Sequence, residues 1–267
     1  MKNADYFERW GFNFIDEKQQ HNIWVRWSLQ KTKTHQYAKS EIYTDVMQKI
    51  SVNYPVEEYS YSPNNNIVKL GTNVFTKDYI ELDIKNDLVQ LQGTLEFKNK
   101  ITLPSDFGKK SVMGPFNKVP FISIYYDIVS LSANLEGTLT YNKEAINFNR
   151  GKGFIEKAKG SKWPNIWVFS KCNHFRKDSK ASIMLGIARM EVAFNYCTGF
   201  ALAICANNRK YLLTSYNGAH VVKFYKDKNN IHLIVAYKNI LVELNILGKE
   251  NNPLARSDYH GIKDIYE

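Results

Sequence analysis

Residues 153–175 (GFIEKAKGSKWPNIWVFSKCNHF) gather the side chains of this chain best suited to chemistry. Read as a strand, the stretch puts Phe154, Glu156 and Ala158 on one face and Ile155 and Lys157 on the other. A carboxylic acid desolvated in an apolar cavity has a raised pKa and can donate a proton. On a solvated face the same Glu156 is a surface carboxylate paired with a lysine, since glutamate is rarely buried. Residue types alone leave both readings open. Further on, Trp167, Phe169, Lys171 and Asn173 share a face, with Trp163 just before them. Aromatic faces stabilise a cation by roughly 0.5–2 kcal/mol each, although a lone tryptophan is more often a core residue. Asn173 can orient a hydroxyl or satisfy backbone, and Pro164 sets the start of the strand. Cys172 and His174 fall on the opposite face, and two ligands without a third or fourth make a poor zinc site. The other histidines are scattered and form no triad. Walker-type, HExxH, GxSxG and dinucleotide GxGxxG motifs are missing.

The elements that must carry these residues are strands. Val89, Leu91, Gly93, Leu95 and Phe97 alternate with Gln90, Gln92, Thr94 and Glu96, the period of a half-buried strand. Similar runs occur at 12–15, 23–29, 80–84, 119–131, 135–141, 166–175, 200–205, 211–216, 221–225, 231–237 and 241–247. Polar turns separate them at 85–87, 142–143, 207–208 and 228–230. Many short strands with polar turns predict barrels or sandwiches. Residues 182–191 (SIMLGIARME) have helical propensity, but Gly186 weakens a helix and a strand is preferred. Residues 32–66, with Pro55 and Pro63, read as a long loop with one strand at most. The chain divides most naturally at 149–151, giving domains of 1–150 and 151–267.

Composition narrows the class. The 267 residues are 44% hydrophobic and 23% charged, ordinary for a globular chain. Lys and Arg outnumber Asp and Glu by 36 to 26, and the net charge of +10 invites an anionic partner. Aromatic content is high, with 17 Tyr, 15 Phe and 5 Trp, which suits strands and large apolar pockets. No run approaches the roughly 20 apolar residues of a spanning helix. The segment 1–14 carries Asp5 and Glu8 and no apolar stretch, so no secretory signal is expected. Three cysteines cannot all pair internally, and a reduced, cytoplasmic protein is expected.

Four ordered blocks resemble the tocopherol cyclase family. The first is Met113-Gly114-Pro115-Phe116 with Val119-Pro120-Phe121, Ser130 and Glu136-Gly137. The second is residues 153–175, with Glu156-Lys157, Gly160, Trp163-Pro164 and Cys172-Asn173-His174-Phe175. Thr198-Gly199-Phe200 and then 215–219 (SYNGA) follow. The likeness spans roughly 75–220 and implies an all-β fold of two lipocalin-like antiparallel barrels in tandem, one in 1–150 and one in 151–267. It also implies acid-catalysed closure of a prenylated hydroquinone to a chromanol, with no organic cofactor and no metal. Glu156 matches the family glutamate and would be the acid. Phe154, Trp163, Trp167, Phe169, Lys171, Asn173, Tyr126 and Asn217 would line the substrate.

Several positions depart from the family pattern. Ala158 and Lys159 replace an Asp and a Trp, and Lys171 stands in place of a Gln. Ser123, Tyr126 and Ala133 stand where a Glu and two His are usual. A cyclase or isomerase and a non-catalytic carrier of a hydrophobic ligand therefore both remain open. The basic residues Arg150, Lys152, Lys157, Lys159 and Lys162 could grip a nucleic acid, the least expected partner, or touch anionic lipid headgroups at a membrane surface.

Overall fold

The alternation of residues 79–85 (YIELDIK) is kept in three dimensions. Ile80, Leu82 and Ile84 are buried and Glu81, Asp83 and Lys85 exposed, as in a strand with one face on a core. The computed structural model describes residues 5–44, 49–103, 111–175, 177–192, 195–227 and 230–247, and the backbone of 263–266. The chain forms two compact units, neither continuous in sequence. One is Met1–Thr102 with Tyr126–Lys162, and the other is Leu103–Tyr125 with Trp163–Glu267.

The first unit begins with a meander of β1 (Tyr6–Ile15), β2 (Asn22–Lys31), β3 (Gln36–Tyr43) and β4 (Lys49–Tyr54). A single 3-10 turn (Val56–Glu58) leads into β5 (Tyr59–Ser62), β6 (Ile67–Leu70), β7 (Asn73–Phe75), β8 (Tyr79–Lys85) and β9 (Gln90–Ile101). The long β10 (Ile124–Tyr141), β11 (Glu144–Asn147) and β12 (Lys152–Gly160) complete it. Pairing runs β4-β3-β2-β1-β12-β10-β9-β8-β7-β6-β5, with β11 on β10. The two ends of this sheet, β4 and β5, are neighbours in sequence joined by that one turn, so the sheet curls into a nearly closed antiparallel barrel. Across the seam, the Asn73 side-chain amide donates to the Tyr54 hydroxyl at 3.2 Å. Phe12, Phe14, Trp27, Phe75, Phe97, Leu135, Phe148 and Ile155 belong to the core it encloses. Gly93 and Gly137, at φ +134° and +129°, flank the Thr94/Thr138 pair, where a Cβ would strike the opposite carbonyl oxygen.

Two expectations change here. The segment 32–66 is no long loop; it contributes β3, β4 and β5. Its prolines mark strand ends, Pro55 just after β4 and Pro63 just after β5, while its tyrosines and β-branched residues pair with their neighbours. Conversely, the run expected from 119 becomes strand only at Ile124. Pro120 has no N–H to give, and Phe121 sits at φ +60° and is largely exposed. In addition, β12 lies beyond the expected division at 150 yet pairs along its whole length with β1 and belongs to the first unit.

The second unit contains β13 (Ile166–Cys172), β14 (Ser182–Val192), β15 (Asn195–Ala206), β16 (Arg209–Thr214), β17 (His220–Lys226), β18 (Asn230–Tyr237), β19 (Ile240–Leu247) and the short β20 (Lys263–Tyr266). Residues 182–191 are strand, paired on both sides. The order β16-β15-β14-β13-β20 makes one sheet, with β20 parallel to β13, and β17-β18-β19 makes another. Leu185, Leu202 and Leu213 of the first share a core with Ile231, Leu233 and Val235 of the second. A second closed barrel is not shown; the described strands form these two separate sheets.

Candidate functional site

Ile155 lies in the barrel core, so strand alternation turns Phe154, Glu156 and Ala158 to the outer face of β12. All three are nevertheless buried, Glu156 with 5% of its surface exposed. The register explains what surrounds it. Glu156 pairs with Gly11, Gly11 with Arg26, and Arg26 with Glu41, a row running across β12, β1, β2 and β3 on one face. The adjacent row is Phe154, Asn13, Trp24 and Tyr43. The row on the other side begins Ala158, Arg9, Ser28 and Lys39.

Glu156 leans over Gly11. A Cβ at residue 11 would stand 2.9 Å from Oε1 and 3.0 Å from Cγ of Glu156, so the glycine supplies the space the carboxyl occupies. On its other side, the Tyr126 hydroxyl of β10 donates to Oε2 at 2.7 Å. Burial first, and then the charge and hydrogen bond of Glu156, push the Tyr126 pKa well above its ordinary value, so the phenol stays protonated. Phe154 meets Trp24 edge-on at 5.9 Å. Asn13 donates to Asn22 Oδ1 at 2.5 Å and to the Ile23 carbonyl at 3.2 Å. The site is thus a buried carboxyl that accepts from a phenol, on a face it shares with Phe154.

The far end of the row is built differently. Glu41 takes Lys39 at 2.9 Å, Lys49 at 3.4 Å and Arg26 at 3.9 Å. Arg26 also donates to the Tyr43 hydroxyl at 3.3 Å and lies 5.3 Å from that ring's centre. Burial alone would raise the Glu41 carboxyl, but the three cations outweigh it and hold the pKa down at about 2. Lys157 belongs to the inner face of β12, 5.7 Å from the Trp10 ring and 3.7 Å from Asp127.

The other expected residues lie in the second unit. Val168 packs into that unit's core, which places Trp167, Phe169 and Lys171 on the opposite face of β13. Trp163 and Trp167 meet edge-on at 5.9 Å. Lys171 and Asn173 are buried, and Asn173 Oδ1 lies 3.0 Å from His174 Nδ1. Among the described residues no His, Cys, Asp and Glu cluster could hold a metal. Asn217 uses both ends of its side chain inside the β16–β17 turn. Its Oδ1 accepts from the Thr214 and Ala219 amides at 3.0 and 3.4 Å, and its Nδ2 donates to the Leu212 carbonyl at 2.7 Å. Next to it, the Tyr216 hydroxyl donates to the Val112 carbonyl at 3.1 Å and its ring meets Phe116 at 6.3 Å. Two of the sequence blocks thus meet as a structural latch. Of the substituted positions, Ala133 faces the barrel core, on the side away from Glu156, and Lys159 is exposed.

Gly11, Arg26, Glu41 and Trp24 carried no motif of their own. The strand-like runs at 12–15 and 23–29 were the only trace near them, and these announce a strand pair rather than a site.

No protein-family model matches the chain, and no curated protein matches it. Solved structures do resemble it in fold. CghA superposes with a TM-score of 0.57 at 10% identity, over 91% of this chain and 75% of that one. CghA crystallised with Sch210972 gives the same TM-score and identity over 93% and 79%. Kievitone hydratase from Nectria haematococca gives 0.44 at 12% identity, over 88% and 73%. At these identities the likeness concerns the fold. No helix of the described residues is long and apolar enough to cross a membrane.

Proposed function

We propose that the protein binds a lipophilic, unsaturated small molecule and uses Glu156 as a general acid on it. The observation that carries this reading is the buried carboxyl over Gly11, held by the Tyr126 hydroxyl at 2.7 Å beside Phe154 and Trp24. A binding role suits the fold, since CghA, which shares it, was crystallised with a small molecule, Sch210972. The finer reading follows from the tocopherol cyclase motifs: ring closure of a prenylated hydroquinone to a chromanol. Glu156 gives its proton to the side-chain alkene, and the tertiary cation that forms is captured by the phenolic oxygen. The new C–O bond releases the phenolic proton to the Glu156 carboxylate, so the acid is regenerated and the product is an isomer of the substrate. Aromatic faces such as Phe154 and Trp24 would stabilise the cation. The test is incubation of the purified protein with a prenylated hydroquinone, following chromanol by chromatography. Product formed by the native chain and lost in Glu156→Gln supports the reading; equal turnover in that variant overturns it.

A carrier without chemistry is the second reading. It is favoured by Ala158, a buried methyl on the face of Glu156 where the family pattern has a second carboxylate. Recovery of a bound prenylquinol unchanged by native protein and variant alike would select it.

A further inference from the structure

The edge strand β17 stands apart from the other described strands. Among the described residues it is the one strand with side chains exposed on both faces along nearly its whole length. Val221, Val222, Phe224 and Tyr225 are 39%, 56%, 48% and 57% exposed. Pairing with β18 sets Phe224 beside the buried Leu233, on the core side of the sheet, and Tyr225 beside His232, on the outer side. The strand is therefore a blade with an apolar or aromatic side chain on each face. Its charges have one sign: residues 220–226 (HVVKFYK) contain Lys223 and Lys226 and no acid.

A second copy of the chain is a poor occupant for this edge. The register breaks between Val221 and Lys223, and a bulge together with lysines is how an edge strand avoids pairing with its own kind. Two such strands side by side would also bring lysines together. Phenylalanine and tyrosine interleaved with lysine instead match the boundary between anionic headgroups and acyl chains, where rings enter the apolar layer and ammonium groups remain with phosphate and carboxylate. We infer that β17 is the strand by which the protein rests on an anionic lipid surface. This goes beyond the proposed acid chemistry and does not depend on it.

Sedimentation of the full chain with lipid vesicles tests the inference. Binding to phosphatidylcholine vesicles containing phosphatidylserine, weak binding to phosphatidylcholine alone, and loss at high salt are expected. Lys223→Glu with Lys226→Glu should weaken binding by about tenfold or more. Phe224→Ser with Tyr225→Ser should weaken it comparably, with circular dichroism showing that the strands are kept. Lys77→Glu, on an exposed turn of the barrel, should have little effect. No binding to the anionic vesicles overturns the inference, as does binding untouched by both β17 variants. A concentration-dependent dimer abolished by the same substitutions, without vesicle binding, would assign the strand to a second copy and overturn it as well.

Discussion

Two buried carboxylates sit on the same outer face of the barrel and illustrate opposite uses of burial. Strand spacing puts Glu156 and Glu41 three strands, or about 14 Å, apart along one row. Glu41 is surrounded by Lys39, Lys49 and Arg26, which hold it ionised down to a pH of about 2. Glu156 rests over a glycine, beside aromatic rings, with a neutral phenol as its hydrogen-bond donor. A carboxylate clamped by three cations cannot exchange protons near neutrality and serves the fold. Glu156 instead fills the space over Gly11 and takes its hydrogen bond from a phenol. Exposure alone does not separate them, since each is 5% exposed; the partners do.

The contrast can be broken at four points. Glu156→Gln keeps an acceptor for Tyr126 but removes the proton, so turnover on a prenylated hydroquinone should fall by about 10²–10⁴-fold with the melting curve preserved. Glu41→Gln should do the reverse, costing about 3 kcal/mol of stability at pH 7 and leaving ligand chemistry in place. The sign follows from the depressed native pKa. The Glu41 contribution is complete above its unfolded value near 4.5 and fades as pH falls toward about 2. Denaturant curves of native protein and Glu41→Gln should therefore converge across that window. A gap that stays constant with pH would contradict the ion cluster.

Gly11→Ala should be felt at Glu156. The added methyl must displace the carboxyl or strain the strand pair, at about 1–3 kcal/mol, and it should reduce turnover even where the fold survives. Unchanged activity in that variant would show that the placement of the carboxyl over residue 11 is immaterial. Tyr126→Phe removes one hydrogen bond and is the mildest change, about 1 kcal/mol in stability. Its sharper readout is the pH profile of turnover, which should shift when the phenol no longer donates to Oε2.

Much of the barrel was legible because a half-buried strand writes its period into the chain. Residues 80–84, 89–97 and 135–141 alternate so clearly that β8, β9 and the end of β10 follow from them. The segment 32–66 was illegible for a local reason: prolines that lie at strand ends look, in one dimension, like prolines that forbid strands. Glu156 and Phe154 could be placed on one face from spacing, and the structure keeps them there. Their burial could not be read, because Ile155, on the opposite face, is the residue that fills the barrel. Asn217 marks the opposite failure, a motif residue whose side chain is fully employed in a turn.

Alternation along each strand, the all-β class and the shared face of Phe154, Glu156 and Ala158 were settled by residue order, since side-chain direction on a strand is a local property. The neighbours of Glu156 were decided by tertiary structure alone. Gly11 and Tyr126 reach it only because β12 inserts between β1 and β10, a pairing of distant segments that no local pattern encodes. The same pairing set Arg26 and Glu41 in line with it, so which carboxyl meets three cations and which meets a phenol is a property of sheet register.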